Sequence, residues 1–391
     1  MNILYVLNST YALGGATKSF LTLIEAICQQ GHTPIVVAPD TEGVATTLQQ
    51  MGVEVIAVNY RNNTYPDLRH AKDALLFLPR LVARRWLIHK AVEAVYERVK
   101  DRQISLIHTN VSVVDVGEKV AQRLAIPHIY HIREYGDADF HFRYYPSSKA
   151  VHRRLAAQYT LCITRAIQQY HHLAGNERSE VVYNGIKPPS EKVQGELPHK
   201  PYFLYAGRVE QTKGLLDLAE AYAQFVAHHG AEAPLLVVAG EVVEPPYYEK
   251  IAQYLTDKGV KNMTVFLGPR RDIGPLMHHA VATIVPSHFE GFGRCLPEAM
   301  MCGCITIGRD TAGTKEQLDN GLQLTGQEIG YRFHDVDELA QRLETVVKST
   351  PQVLEAMRQR AHQTVAHYYT QQRYTESIIH LYERIYRERN H

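Results

Sequence analysis

Two carboxylates eight residues apart, Glu290 and Glu298, frame a glycine-rich turn within His288–Gly303, HFEGFGRCLPEAMMCG. An apolar run, Val281 to Val285, and a Pro286-Ser287 break come before it. Gly291 and Gly293 make the turn, and Leu296, Glu298, Ala299 and Met300 continue as a helix-forming run. Strand, glycine loop and helix together point backbone N–H groups and a helix N-terminus at an anion. A second such turn lies upstream in YAGRVEQTKG, Tyr205 to Gly214. There Gly207 lets backbone approach a ligand, Arg208 offers a planar fork for phosphate oxygens, and Lys213 sets a point charge at the start of the next helix. Two cations and a helix N-terminus suit a diphosphate. The same pattern also fits solvated charges on an ordinary strand–helix turn.

These loops need strands and helices to hold them, and the chain supplies an alternation. Asn2–Asn8, Thr33–Ala38, Val53–Val58, Ser105–Thr109, His128–Ile132, Thr160–Thr164 and Glu180–Tyr183 read as strands of a first half. A helix from about Thr17 to Gln30 and a long one from roughly Leu68 to Lys100 lie between them. Lys187 to Lys200, with three prolines, is the expected linker. Beyond it strands are expected at Tyr202–Ala206, Pro234–Ala239, Met263–Leu267, Ala282–Val285 and Cys304–Ile307, with a helical pattern from Asp335 to the end. This predicts two doubly wound α/β halves, residues 1–186 and 201–371, with ligands at the carboxyl ends of the strands. The Gly14-Gly15 loop lacks the glycines of a P-loop and of a dinucleotide fingerprint, so it is either a tight turn or a ligand-facing loop.

At 391 residues, two domains are the natural expectation. Residues 1–196 hold 22 Lys and Arg against 18 Asp and Glu, and the remainder 20 against 23. A mildly basic first half fits an anionic acceptor or a membrane surface and is too weak for nucleic acid. The long helix carries Leu81, Ile88, Val92, Val95 and Val99 at helical spacing, with Arg80, Arg84, Arg85, Trp86 and Lys90 near its start. Such a stripe is a core face with a solvated basic side, or else a peripheral membrane contact. Five scattered cysteines and the lack of a secretory or 18-residue apolar run lead us to expect a cytoplasmic protein, at most at the inner face of the membrane.

The loops around Gly207-Arg208…Lys213-Gly214 and Glu290-Gly-Phe-Gly293…Glu298, with Asn184-Gly185-Ile186, resemble the GT-B glycosyltransferases of family 4, whose two acids are likewise eight positions apart. Gly14-Gly15, Gly31-His32 and Gly313…Glu316 also match. The resemblance implies two Rossmann-like domains facing across a cleft, the first (1–186) holding the acceptor and the second (201–371) the nucleotide sugar, with a C-terminal helix, about 372–391, crossing back to the first. It implies retaining transfer of a sugar from a nucleoside-diphosphate sugar to a glycan or lipid-linked acceptor. Arg208 and Lys213 would hold the diphosphate and Glu298 the ribose. Glu290 and the amides around Gly291, Phe292 and Gly293 would hold the sugar, with Gly207 and Gly15 also on the donor side. On one helix, Glu290 and Glu298 would stand about 12 Å apart, too far to flank one bond as the paired carboxyls of retaining glycosidases do. A sugar-nucleotide epimerase and a non-catalytic nucleotide-sugar binding protein are the competing readings.

No metal or other cofactor is expected, because Arg208 and Lys213 can neutralise the leaving group. Asp335-Val-Asp337 reads as a helix cap. Asp137-Ala-Asp139 lies in an aromatic loop whose Phe140, Phe142, Tyr144 and Tyr145 would offer stacking faces to an acceptor. His108, His131 and Glu134 are candidate acceptor contacts, the histidines being more readily structural. Arg133 stands where the family often carries a histidine. It is expected either to act electrostatically on sugar or acceptor, or to pair with Glu134 or Asp137 and order the loop.

Overall fold

The computed structural model describes residues 1–11, 14–66, 71–140, 142–188 and 197–390. They divide into two compact units, residues 1–185 with 371–391, and residues 186–370.

The first unit is built on a seven-stranded parallel sheet. Its strands are β1 (Asn2–Val6), β2 (Thr33–Ala38), β3 (Glu54–Ala57), β4 (Ile104–Thr109), β5 (His128–Ile132), β6 (Tyr159–Cys162) and β7 (Ser179–Val181), in the order β3-β2-β1-β4-β5-β6-β7. Central strands such as ILYV and HIYHI are buried along their length. Helices cover both faces of such a sheet, so its strands read as continuous apolar runs. The Gly15–Gln29 helix contributes Phe20, Leu23, Ile24 and Ile27 to a core shared with Tyr5 and with Tyr374, Ile378, Tyr382 and Ile385 of the C-terminal Gln371–Asn390 helix.

The second unit repeats the plan with six strands: β8 (Tyr202–Ala206), β9 (Leu235–Ala239), β10 (Thr264–Gly268), β11 (Ala282–Val285), β12 (Thr306–Arg309) and β13 (Tyr331–Phe333). Their order is β10-β9-β8-β11-β12-β13, all parallel. Strand order reverses between β1 and β4 in the first sheet and between β8 and β11 in the second. Those switch points open the crevices in which such sheets bind ligands.

The expected long helix divides. Residues 67–70 lie outside the described residues, and the rest forms Ala71–Leu75 and Phe77–Val99, parted at Leu76. Pro79 explains the break, since it has no N–H to give Leu75 and its ring would clash with that carbonyl. Ile88, Val92, Val95 and Val99 form the expected buried face, while Leu75, Leu78, Val82 and Trp86 are exposed on the outer one. The C-terminal tail is three helices, Val336–Lys348, Pro351–Tyr368 and Gln371–Asn390, preceded by a strand the sequence did not betray, β13. Asp335 is the expected cap, its Oδ1 accepting from the Glu338 amide at 2.9 Å. Of the expected linker 187–200, residues 189–196 lie outside the described residues. Among the described residues no helix is long and apolar enough to cross a membrane.

Candidate functional site

Both glycine turns hang from the carboxyl ends of adjacent strands at the second unit's switch point, Gly207-Arg208 after β8 and Glu290–Gly293 after β11. Backbone contact forces their shapes. Gly214 sits at φ +67°, and a Cβ there would lie 2.1 Å from the Pro286 carbonyl oxygen. A Cβ on Gly240, at the end of β9, would lie 1.7 Å from the Gly207 carbonyl oxygen. The His288 amide donates to the Thr212 carbonyl at 3.0 Å and locks one loop to the other.

That lock sets Lys213 against Glu290, with Nζ 2.7 Å from Oε1 and both side chains about one-fifth exposed. Arg208 lies further out, its Nη2 2.9 Å from Glu210 Oε1. Tyr205 donates its hydroxyl to the Arg208 carbonyl at 2.6 Å and fixes the backbone there. Glu298, in the Cys295–Met301 helix, accepts from Arg294 Nε at 3.0 Å. Cys295 is half-buried; desolvation pushes its thiol well up, and the nearby Glu298 and Glu290 push the same way. It stays a neutral thiol.

Residues downstream of both loops brace the second turn. The Gly313 amide donates to the Glu290 carbonyl at 2.9 Å, and Gln317 Nε2 donates to the carbonyls of Phe292 and Gly293. Phe292 is buried edge-on against Tyr369, with ring centroids 5.6 Å apart. Arg309 Nε donates to the Pro286 carbonyl at 3.0 Å and its Nη2 bonds Asp217. Only Gly313 had a sequence signal, as part of the Gly313…Glu316 match; Gln317 and Arg309 carry none. Gly15 belongs to the first unit, where it opens the Gly15–Gln29 helix.

Arg133, at the end of β5, is surrounded by neutral hydrogen-bond partners. It pairs with neither Glu134 nor Asp137 through its guanidinium. Nε donates to Asn110 Oδ1 at 3.0 Å, Nη1 to Asn184 Oδ1 at 2.8 Å, and Nη2 to the Tyr374 hydroxyl at 3.0 Å and His131 Nδ1 at 3.2 Å. Arginine can only donate, so His131 Nδ1 accepts and the proton of a neutral ring sits on Nε2. His108 Nε2 lies 3.2 Å from the same Nδ1, and His108 Nδ1 lies 2.5 Å from the Tyr382 hydroxyl, which donates to the Tyr5 hydroxyl at 3.3 Å. Burial and the Arg133 charge hold both histidines well below their usual range, hence neutral. One arginine thus fixes the tautomer of His131.

His108 and His131, expected as acceptor contacts, are wholly buried within this network. Glu134 is buried as well, accepting from the Ser112 amide and hydroxyl at 2.7 Å each and from the Arg133 amide at 3.1 Å. Burial raises its carboxyl to about 7 against those bonds. The Asp137–Asp139 triplet is committed to the loop itself. Asp139 accepts from the Tyr135 and Gly136 amides at 2.9 and 2.6 Å, and Asp137 from the Tyr170 hydroxyl at 2.6 Å. Of the expected stacking faces, Tyr144 is buried and bonds the Tyr135 carbonyl, while Phe140 is exposed and stacks on Phe142.

Comparison with known proteins gives this arrangement its kin. Residues 13–188 match the model of Glycosyltransferase Family 4, and residues 187–364 that of Glycosyl transferases group 1. The chain is 26% identical over 174 residues to the Vi polysaccharide biosynthesis protein VipC/TviE of Salmonella typhi, covering 41% of this chain and 29% of that protein. It is 26% identical over 280 residues to the UDP-Gal:alpha-D-GlcNAc-diphosphoundecaprenol alpha-1,3-galactosyltransferase of Escherichia coli, covering 63% of this chain and 70% of that one. The chain spans less than half the length of several curated relatives that it matches. In fold it is similar to Anabaena Alr3699/HepE in complex with UDP and glucose, with a TM-score of 0.72 over 96% of this chain and 98% of that one, at 20% identity. The two models, matched in series from residue 13 to residue 364 and laid on two parallel Rossmann-like sheets, make the chain a member of the GT-B glycosyltransferases of family 4.

Proposed function

We propose that this protein is a retaining, metal-independent transferase that moves a sugar from a nucleoside-diphosphate sugar to a glycan or lipid-linked acceptor in polysaccharide or glycoconjugate assembly. The observation that carries the reading is the Lys213–Glu290 pair held between two interlocked glycine loops at the β8/β11 switch point. Breaking the sugar–phosphate bond leaves negative charge on the departing diphosphate. Lys213, Arg208 and the amides around Phe292 and Gly293 stabilise that charge, and Glu290 takes the sugar hydroxyls. Glu298 takes the ribose. Each of the two acids already has a cation beside it, Lys213 for Glu290 and Arg294 for Glu298. Neither is a lone carboxylate poised as a nucleophile, which favours charge stabilisation over a covalent intermediate. Arg133 acts by positioning, through Asn110, Asn184 and Tyr374.

UDP and glucose in the similar Anabaena structure support a uridine nucleotide as first choice. The exposed Leu78, Val82 and Trp86, flanked by Arg80 and Lys90, support peripheral contact with the cytoplasmic face of a membrane. Nucleoside diphosphates screened by thermal shift, followed by release of UDP from UDP-sugars with and without lipid-linked acceptor, test the proposal. Binding of UDP and acceptor-dependent release that persists in chelator are expected. Donor turnover without acceptor would make the protein an epimerase. A strict need for Mg²⁺ or Mn²⁺ would overturn the metal-free reading.

A further inference from the structure

Lys213 and Glu290 sit on different loops, so their separation is set by whatever joins those loops at their bases. Arg309, the last residue of β12, stands at that junction with all three side-chain nitrogens engaged. Nε donates to the Pro286 carbonyl at 3.0 Å, Nη1 to the His334 carbonyl at 2.8 Å, and Nη2 bonds the Asp217 carboxylate. The guanidinium also lies over the Phe333 ring, 4.9 Å from its centroid, and the side chain is only 11% exposed.

Two of these anchors belong to the donor loops. Pro286 directly follows β11 on the way to Glu290, and its carbonyl is the atom against which Gly214 packs. Asp217 lies in the first turn of the Leu215–His229 helix, which Lys213 and Gly214 lead into. The remaining anchors, the Phe333 ring and the His334 carbonyl, are at the end of β13 and keep the fork itself still. A guanidinium is planar, with its donors at fixed angles. Bonding Pro286 through Nε and Asp217 through Nη2 therefore sets the distance between the two loop bases. A lysine ammonium, a point charge on a flexible stem, would serve one anchor and leave that distance loose. The bond from the His288 amide to the Thr212 carbonyl crosses the same gap, so its opening reports whether the gap is held.

We infer that Arg309 is a positioning residue for donor binding: it clamps the bases of both loops so that Lys213 meets the diphosphate in register with Glu290. The inference rests on the transferase reading above and adds a residue to that site. Arg309→Lys tests it, because lysine keeps a charge for Asp217 and a carbon stem over Phe333 but has no fork. UDP affinity, measured by calorimetric titration, should fall about tenfold, and the His288 amide should exchange about tenfold faster by NMR. The melting temperature should stay close to wild type. In a Lys213→Ala background, Arg309→Lys should cost no further UDP affinity, because the clamp acts through Lys213. Asp217→Ala frees the fork at its helix end and leaves the Phe333 contact in place. It should repeat the pattern with a loss of about threefold, again absent without Lys213. Wild-type UDP affinity and His288 exchange in Arg309→Lys would overturn the inference, making Arg309 an ion pair that any cation serves. Equal losses with and without Lys213 would overturn it too, making Arg309 a purely structural residue. A wild-type protein that takes no UDP would instead overturn the transferase reading, and His288 exchange in the two variants would still judge the clamp.

Discussion

Each α/β unit ends a central strand in a cation, and the two units treat it in opposite ways. Arg133, after β5, is enclosed and bonded to two asparagines, a tyrosine and a histidine, all neutral. Lys213, after β8, meets a carboxylate at a partly open surface. A guanidinium that cannot shed its proton needs directed acceptors once water is gone. An ammonium beside a carboxylate at a half-open site can exchange that partner for a ligand's phosphate. The kind of partner therefore separates a cation that builds the fold from one that can serve chemistry.

The strongest test is Arg133→Leu, which strands several buried polar groups. A loss of about 3–5 kcal/mol is expected, lowering Tm by roughly 6–20 °C for a unit of this size. Calorimetry checks it. An Arg133→Leu protein that melts like wild type but loses transfer would break the comparison. Next comes Lys213→Ala, expected to weaken UDP binding by about tenfold to 150-fold with Tm little changed, since charge-assisted hydrogen bonds contribute about 1.5–3 kcal/mol. Equal UDP affinity in calorimetric titration would return Lys213 to the structural class.

Glu134 sharpens the same contrast through pH. Burial lifts its carboxyl to about 7, above the unfolded value of about 4.3. The folded state then holds the proton more tightly than the unfolded one. Its contribution is fully present below the unfolded pKa and is lost as pH rises through 7. One proton gives a slope of at most about 1.4 kcal/mol per pH unit. Urea titrations between pH 5 and 7 should show that slope in wild type, and a matching slope in Glu134→Gln would refute it. The smallest effect is Arg208→Ala. Its side chain is 45% exposed beside Glu210, so a loss of about 0.5–1 kcal/mol in UDP affinity is expected, below that of Lys213→Ala. The reverse ranking would move the diphosphate contact outward along the loop.

The second unit was the more legible in the sequence, for a physical reason. Its site is written in short stretches, with Gly207 through Gly214 on one loop and Glu290 through Glu298 on the other. Gly214 there marks a close backbone approach that no other residue allows, and Gly293 a left-handed turn at φ +76°. The first unit's network is assembled from Asn110, Arg133, Asn184 and Tyr374, the last 241 residues from its arginine. Local spacing carries no trace of such a set. The two-residue spacing of His131 and Arg133 puts both on one face of an extended segment, yet spacing does not tell whether that face is open or covered. The break at Leu76 was legible in Pro79 and was overlooked because the apolar stripe runs on beyond it.

The outer face of the Phe77–Val99 helix has an optical consequence. Trp86 is the chain's single tryptophan, half exposed there with Lys90 Nζ 4.3 Å over its ring. Indole emission from this protein therefore reports one surface address and nothing else. It should lie at long wavelength and be open to aqueous quenchers, then shift to the blue when that face is covered. Unfolding of the second unit should barely register in it, so circular dichroism or tyrosine absorbance has to follow that event. Quenching by acrylamide, with and without vesicles, reads the helix face directly, and no label has to be attached.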